Sequence, residues 1–299
     1  MHQLLQREVQ TNKYDLIFCH LIRMAPYVEK ITGIKKVLDM CDALSFRYGL
    51  SYQLRKGPSK LIELIESKRL ANYESKISEK FDLNLIASIK DKTYLEQKVG
   101  AKGLTVVENG VDLEACEYSQ VQTDYKKIVF FGNLRTFHNI DAVQYFYKEI
   151  FPLVKQKIQE ARFVIIGACV PRCILKMAKD RSVSILSEVE NMHPHISDAC
   201  VSVAPMRIAV GVQNKILQSM ASKIPVVTTT LGLGGLQARA GQDILVADNP
   251  RDFADKVILL MRNRPTGDSI RQDAYRLIRE RYLWPDVVDK LNKLLMHIV

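Results

Sequence analysis

Ten short runs of Val, Ile and Leu recur along the chain without alternating with polar residues, and longer stretches of helical period separate them. The runs are Tyr14–Cys19, Lys36–Asp39, Leu83–Ser88, Thr105–Val107, Ile128–Gly132, Arg162–Gly167, Val183–Leu186, Ala199–Ala204, Pro225–Thr230 and Ile244–Ala247. A strand that is apolar on both sides must be covered on both faces, which is the environment of a parallel sheet. Parallel strands cannot be joined by hairpins and need crossovers. The helical patterns around 59–80, 90–98, 140–158, 212–223, 251–264 and 268–296 supply them. The pattern predicts an α/β fold with parallel sheets.

Periodicity weakens at about 112–126, with four strand-like runs before the break and six after it. At 299 residues, two domains are expected. A doubly wound nucleotide-binding sheet commonly has six strands and opens on a strand followed by a tight turn. Here a polar, helix-like stretch comes first and the first strand begins only at Tyr14. The N-terminal half therefore reads as lacking its first one or two βα units. No run approaches the ~18 apolar residues needed to cross a bilayer, and Met1–Glu8 lacks the basic start and apolar core of a secretory signal. The expected location is cytoplasmic.

The formal charge of +10 calls for an anionic partner, and three classes qualify: nucleic acid, an anionic membrane surface and phosphorylated small molecules. The basic residues are dispersed, without a run of five and without interleaved aromatics, which argues against nucleic acid. The segment 59–81 gathers Arg55, Lys56, Lys60, Lys68 and Arg69 near apolar Leu61, Ile62 and Ile65, as a membrane-resting helix would. Glu63, Glu66, Glu74 and Glu79 interrupt that positive face, so a solvated outer helix is the preferred reading. Of six cysteines (19, 41, 116, 169, 173 and 200) only Cys169 and Cys173 are closely spaced, and no second pair answers them. His193 and His195 have no Cys or acidic partner at ligand spacing. No metal site is expected, and the thiols read as free in a reducing compartment.

The segment Ala204–Val227 is the most informative. A buried strand ends in Ala204-Pro205, a loop containing Gly211 follows, a helix runs from about Val212, and the next strand starts at Pro225. Ligands of open α/β sheets gather at the carboxyl ends of strands, where a helix N-terminus offers unpaired N–H groups to an anion. Lys215 falls in that helix's first turn, where a cation opposes the helix dipole unless an anion is bound. A plain solvent-exposed lysine is the alternative. A second glycine cluster, Gly232, Gly234 and Gly235, follows the next strand. It is not a dinucleotide fingerprint, since Gln237 stands where the third glycine belongs, and there is no G-x-x-x-x-G-K-[ST].

These segments resemble glycosyltransferase family 4, retaining enzymes of GT-B fold. The donor-site signature of that family ends in A-M-A-x-G-x-P-V-V, and this chain has Ser219-Met220-Ala221-Ser222-Lys223-Ile224-Pro225-Val226-Val227. Glu108-Asn109-Gly110-Val111-Asp112 is similar to the family's interdomain linker. Phe130–Leu134 with Asn139–Val143 is similar to the opening of its C-terminal domain, and Val246–Pro250 with Phe253-Ala254 to its later strand and helix. With Arg207-Ile208-Ala209 and Gly211–Lys215, the likeness is closest to the sugar transferases associated with exosortase and exopolysaccharide systems. The resemblance implies two Rossmann-like, doubly wound parallel-sheet domains facing across a cleft, the first incomplete. The expected limits are 1–112 for the acceptor-side domain, 113–126 for a linker and 127–272 for the nucleotide-sugar domain. A helical segment over 273–299 would return to the first domain.

The resemblance implies transfer of a sugar from a nucleoside diphosphate sugar to a glycan or lipid-linked acceptor with retention, in surface-glycan or exopolysaccharide synthesis. It implies no cofactor or metal, and a peripheral contact with the inner face of the membrane. Gln218 stands where the family's second acidic residue binds the ribose, and Val210 where the first meets the donor sugar. The family's phosphate-binding Arg and Lys are replaced by Asn133 and His138, with Arg135 nearby. Lys215 and Arg207 are the expected carriers of that charge. Gly132, Asn133, Arg135, Gly211, Gln213, Asn214, Gln218, Gly232, Gly234 and Gly235 are the expected donor contacts. His20 ends the first strand, where a family histidine faces the sugar; an ordinary strand-end histidine is the alternative. Asp42 is either a contact to sugar or acceptor hydroxyls or a helix-capping aspartate. Cys41 has no base beside it in sequence and is not expected to be a nucleophile. The losses at 210 and 218 leave open a protein that binds nucleotide without turnover, or one completed by a separately encoded N-terminal part.

Overall fold

A computed structural model of the chain describes residues 1–116 and 122–298. Ten strands form among them, each overlapping one of the ten apolar runs. They are β1 (Leu16–His20), β2 (Lys35–Asp39), β3 (Leu83–Ile86), β4 (Leu104–Val106), β5 (Asp124–Phe131), β6 (Arg162–Ile166), β7 (Val183–Leu186), β8 (Ala199–Ala204), β9 (Val226–Thr228) and β10 (Leu245–Val246). Every pairing is parallel.

The chain divides into two compact units. The first comprises Met1–Asn109, the short loop Val210–Val212 and Pro285–Val299; the second comprises Gly110–Ala209 and Gln213–Trp284. The expected linker over 113–126 falls partly outside the described residues.

The first unit has one four-stranded sheet in the order β1-β2-β3-β4. Its core gathers Val28, Leu38, Met40, Ile77, Ile86 and Leu95, all nearly inaccessible. Helix Leu44–Leu54, which the sequence offers only as a segment for Asp42 to cap, packs against helix Pro58–Ser78. Its N-terminal N–H groups are satisfied from a distance: Glu74 Oε1 accepts from Ser45 N–H at 3.1 Å. Asp42 therefore does not cap that helix, whose N-cap is Ala43.

The second unit has six strands in the order β10-β9-β8-β5-β6-β7, a doubly wound arrangement that reverses between β5 and β8. Phe146 lies at the centre of an aromatic core, with ring centroids 4.7 Å from Phe163 and 6.1 Å from both Phe151 and Phe253. The helical pattern over 140–158 is realised as Phe137–Tyr145, a wider π turn over Phe146–Ile150, and Phe151–Lys157. Pro152 supplies no N–H to the turn before it, which accounts for the widening. The helical pattern over 268–296 is realised as two helices, Arg264–Arg281 and Trp284–Met296, broken ahead of Pro285. No helix among the described residues is long and apolar enough to cross a membrane.

Candidate functional site

The reversal of strand order in the second unit leaves a crevice at the carboxyl ends of β5 and β8, where crossovers depart to opposite faces. Gly132 follows β5 directly, and helix Asn214–Ala221 begins after the loop that leaves β8. Lys215 occupies that helix's first turn and is buried, not the exposed lysine of the alternative reading. Its Nζ donates to Asn139 Oδ1, lies 3.7 Å from Met206 Sδ and stands 4.5 Å over the Phe130 ring. Among the described residues it makes no ion pair. Burial without a counter-charge pulls its pKa from 10.5 down to about 7.

Asn139 is the organising residue that sequence reasoning missed. While accepting from Lys215, it donates through Nδ2 to the carbonyl of Asn133 at 2.9 Å, so one amide holds both the lysine and the Gly132 loop. A side chain on Gly132 would have its Cβ 3.1 Å from Asn139 Nδ2 and 3.4 Å from Lys215 Nζ. A side chain on Gly167 would place its Cβ 2.2 Å from the Gly132 carbonyl oxygen, so two glycines keep this turn in place. The motif Asn139–Val143 carried the signal, since Asn139 lies two residues ahead of Asp141 on one buried helical turn.

Arg207 is engaged elsewhere. Its Nε and Nη2 donate to the two oxygens of Asp141 at 3.0 and 2.6 Å, and its guanidinium lies 4.5 Å from the Tyr145 ring centroid. That bidentate pair neutralises the charge expected to meet phosphate, so Lys215 remains as the buried cation of the crevice. Asn133 is exposed and its Oδ1 accepts from Arg135 N–H at 3.0 Å. Arg135 is exposed too, its Nε donating to Cys169 Sγ at 2.8 Å. Gln213 is the N-cap residue of the 214–221 helix, Asn214 is its exposed first residue, and Gln218 is half-buried one turn beyond.

The second glycine cluster serves packing first. A Cβ on Gly232 would stand 2.2 Å from Thr228 Oγ1, so this glycine lets the chain sit against β9. Its N–H is bound by Thr229 Oγ1. Gly234 ends the short helix Thr230–Leu233 with a φ of +54°, and Gly235 is buried behind it.

In the first unit, Gly211 (φ +64°) donates its N–H to Asp91 Oδ2 at 2.9 Å; the same oxygen accepts from Ala43 N–H at 3.0 Å. A Cβ on Gly211 would lie 2.0 Å from Asp42 Oδ1. Burial, and then the charge of Asp91, push the Asp42 pKa from 3.8 up to about 6. Val210 is buried in the same loop. His20, exposed at the end of β1, pairs through Nδ1 with Asp39 Oδ2 at 2.8 Å, with Cys41 Sγ 3.7 Å from the same nitrogen.

Comparison with known proteins bears on this geometry. Over residues 125–263 the chain matches the family described as glycosyl transferases group 1. That stretch holds nearly all of β5, β6 to β10, Asn139, Asp141, Arg207 and Lys215. Along the group 1 match and beyond it, the chain is 23% identical over 288 residues to a 44.6 kDa protein in the cps region of Klebsiella pneumoniae, covering 92% of this chain and 73% of that one. Sucrose-phosphate synthase of Thermosynechococcus elongatus superposes with a TM-score of 0.78 at 14% identity, covering 99% and 76% of the two chains. HepE of Anabaena, solved with UDP and glucose, gives 0.72 at 14% identity, covering 99% and 82%. TarM gives 0.73 at 17% identity, and there the chain spans 54% of the other protein's length. The fold is accordingly α/β of the GT-B type, with two Rossmann-like domains.

Proposed function

We propose that the protein is a glycosyltransferase that moves a sugar from a nucleoside diphosphate sugar to a glycan or lipid-linked acceptor, with retention of configuration. The observation that carries the reading is Lys215: a buried lysine without a counter-ion, at a helix N-terminus, beneath a glycine turn at the point where the strand order reverses. A diphosphate bound there supplies the missing negative charge and meets the helix N–H groups as well. As the bond to the sugar breaks, charge grows on the leaving diphosphate, and a fixed ammonium in a water-poor crevice stabilises it. The leaving oxygen then helps deprotonate the acceptor on the same face of the sugar.

The group 1 match over residues 125–263 supports this reading, as do the nucleotide complex of HepE and the cps-region relative. In this proposal Arg207 positions the helix that carries Asn139, Gln218 reaches the ribose without charge assistance, and His20 and Asp42 face the sugar or acceptor. Exopolysaccharide or surface-glycan assembly at the cytoplasmic face of a membrane accords with the +10 charge. A second reading, nucleotide binding without turnover, is favoured by one specific feature: Val210 is apolar and buried where the family presents a carboxylate.

Isothermal titration with UDP, GDP and their sugar conjugates tests the proposal. Micromolar binding of one nucleotide, weakened at least tenfold by Lys215→Met, is the expected result, followed by transfer to a lipid-linked or oligosaccharide acceptor. A folded chain that binds none of them overturns it. Binding with neither hydrolysis nor transfer selects the second reading.

A further inference from the structure

The first unit carries a three-donor cluster that the reading above does not use as a whole. Parallel pairing of β1 with β2 sets His20 opposite Asp39 at the carboxyl ends of both strands. Cys41 follows two residues later with a φ of +63°, a left-handed conformation that a residue bearing a Cβ seldom adopts. Leu21, beside His20, has a φ of +71°. Non-glycine residues held this way are strained and tend to persist where a site needs them. The turn is pinned by backbone bonds: Leu21 N–H donates to the Asp39 carbonyl at 2.8 Å and Met40 N–H to the Leu85 carbonyl at 3.0 Å.

The consequence is an imidazole nitrogen, a carboxylate oxygen and a thiol sulfur facing one another. His20 Nδ1 lies 2.8 Å from Asp39 Oδ2 and 3.7 Å from Cys41 Sγ, and Cys41 Sγ lies 3.5 Å from Asp39 Oδ2. Bonds of about 2.0–2.3 Å in a tetrahedron around zinc set ligand-to-ligand edges of roughly 3.3–3.7 Å. Two of the three edges already fall in that range, and the third must open by about half an ångström to reach it. Nitrogen, oxygen and sulfur donors together select a borderline-soft ion such as Zn²⁺ over Mg²⁺ or Ca²⁺, which take oxygen. His20 is exposed and Asp39 and Cys41 are half-buried, so an ion can enter from solvent and keep its fourth position for water.

We propose that His20, Asp39 and Cys41 form a three-ligand zinc site at the carboxyl end of β1 and β2. The thiol proton leaves to solvent as the Zn–S bond forms, and the proton that bridges His20 Nδ1 and Asp39 Oδ2 passes to Nε2, or to solvent where the imidazole was charged, which frees both atoms for the ion. The site goes beyond the nucleotide reading, since it engages His20 through Nδ1 and leaves Nε2 for the sugar contact proposed above, and it rests on the geometry of the first unit alone. Spacing rules pass over it because the histidine stands 19 residues from the aspartate and only strand register joins them.

Titration of the chelator-treated full chain with Co²⁺, in the absence of nucleotide, tests the site. One equivalent is expected to give a thiolate-to-cobalt charge-transfer band together with the visible bands of a tetrahedral ion, and Zn²⁺ should displace it. Cys41→Ser should abolish the charge-transfer band, and His20→Gln should weaken Co²⁺ and Zn²⁺ binding at least tenfold. Replacing Cys173, an exposed cysteine of the second unit, should change nothing. Absence of a band in the wild-type chain, or a band that survives Cys41→Ser, overturns the proposal. Because no nucleotide is present, that failure is separate from any failure of the donor site.

Discussion

Lys215 makes a prediction whose size follows from its surroundings. Burial moves its pKa from 10.5 to about 7, a difference worth roughly 5 kcal/mol at ~1.4 kcal/mol per unit. The folded state holds its proton less tightly than the unfolded state. Between pH 7 and 10.5 the unfolded chain therefore binds more protons, and stability rises with pH across that window. Below about pH 7 both states are charged and the whole cost is present. Replacing Lys215 with Met removes it, so the variant should be more stable than wild type at pH 7 by several kcal/mol, with the difference shrinking towards pH 10. Trp284, the sole tryptophan, belongs to the same unit and gives a fluorescence readout for urea unfolding.

Under the proposed function, a bound diphosphate reverses the balance, because it favours the charged amine. At pH 8 a group with a pKa of about 7 is only about one-tenth protonated, so nucleotide binding should draw in nearly one proton per site. Calorimetry in two buffers of different ionisation enthalpy measures that uptake directly. Affinity should fall by up to tenfold per pH unit above about 7, and Lys215→Met should bind about 10- to 150-fold more weakly, the worth of a hydrogen bond to a charged group. Equal enthalpies in the two buffers would refute the coupling. So would wild-type and Met-variant stabilities that run parallel from pH 7 to 10.

Asp42, raised to about 6 by burial and Asp91, has the opposite sign: its ionisation destabilises the fold as pH rises from about 4 to 6. Asp42→Asn should therefore gain roughly 2–3 kcal/mol at pH 7 and little at pH 4, read from urea midpoints at both values. Gly211→Ala combines a left-handed backbone with a Cβ 2.0 Å from Asp42 Oδ1, and should cost about 2–4 kcal/mol in a thermal melt. Gly167→Ala sets a Cβ against the Gly132 carbonyl and should weaken nucleotide binding as well as stability, by calorimetry and melting. Arg207→Gln leaves Asp141 without its bidentate partner and, with Arg207 40% exposed and its charge partly screened, should lose about 1–2 kcal/mol, measured by urea unfolding.

The strands were legible because their signal is local: an unbroken Val/Ile run bounded by turn residues admits few alternatives. The 282 break was legible in principle, since Trp284-Pro285 forbids a continuous helix, but apolar periodicity runs straight through it. Helix Leu44–Leu54 was not legible, because its amphipathic pattern is weak and its N-terminus is satisfied by Glu74, 29 residues away. The site divides along the same line. Position at a helix N-terminus marked Lys215, whereas its burial, its bond to Asn139 and the neutralisation of Arg207 by Asp141 all depend on residues 66 to 76 positions distant. Gly232 carries a packing demand that its spacing does not reveal, since a Cβ there would stand 2.2 Å from Thr228 Oγ1.

The departures at 133 and 138 and the burial of Lys215 are two sides of one charge arrangement. Two exposed cations beside a diphosphate share its charge, remain solvated between turnovers and cost the fold nothing. A single lysine under the Gly132 turn costs the fold several kcal/mol when charged, and a bound anion returns part of that cost as affinity. Such a site should discriminate by charge. Under the proposed function, a nucleoside diphosphate should gain far more from Lys215 than a monophosphate or nucleoside does. The ratio of UDP to UMP affinity in the wild-type chain, set against the same ratio in Lys215→Met, isolates that contribution. A ratio unchanged by the substitution would mean that the diphosphate charge is met elsewhere, and that the lysine is buried for packing alone.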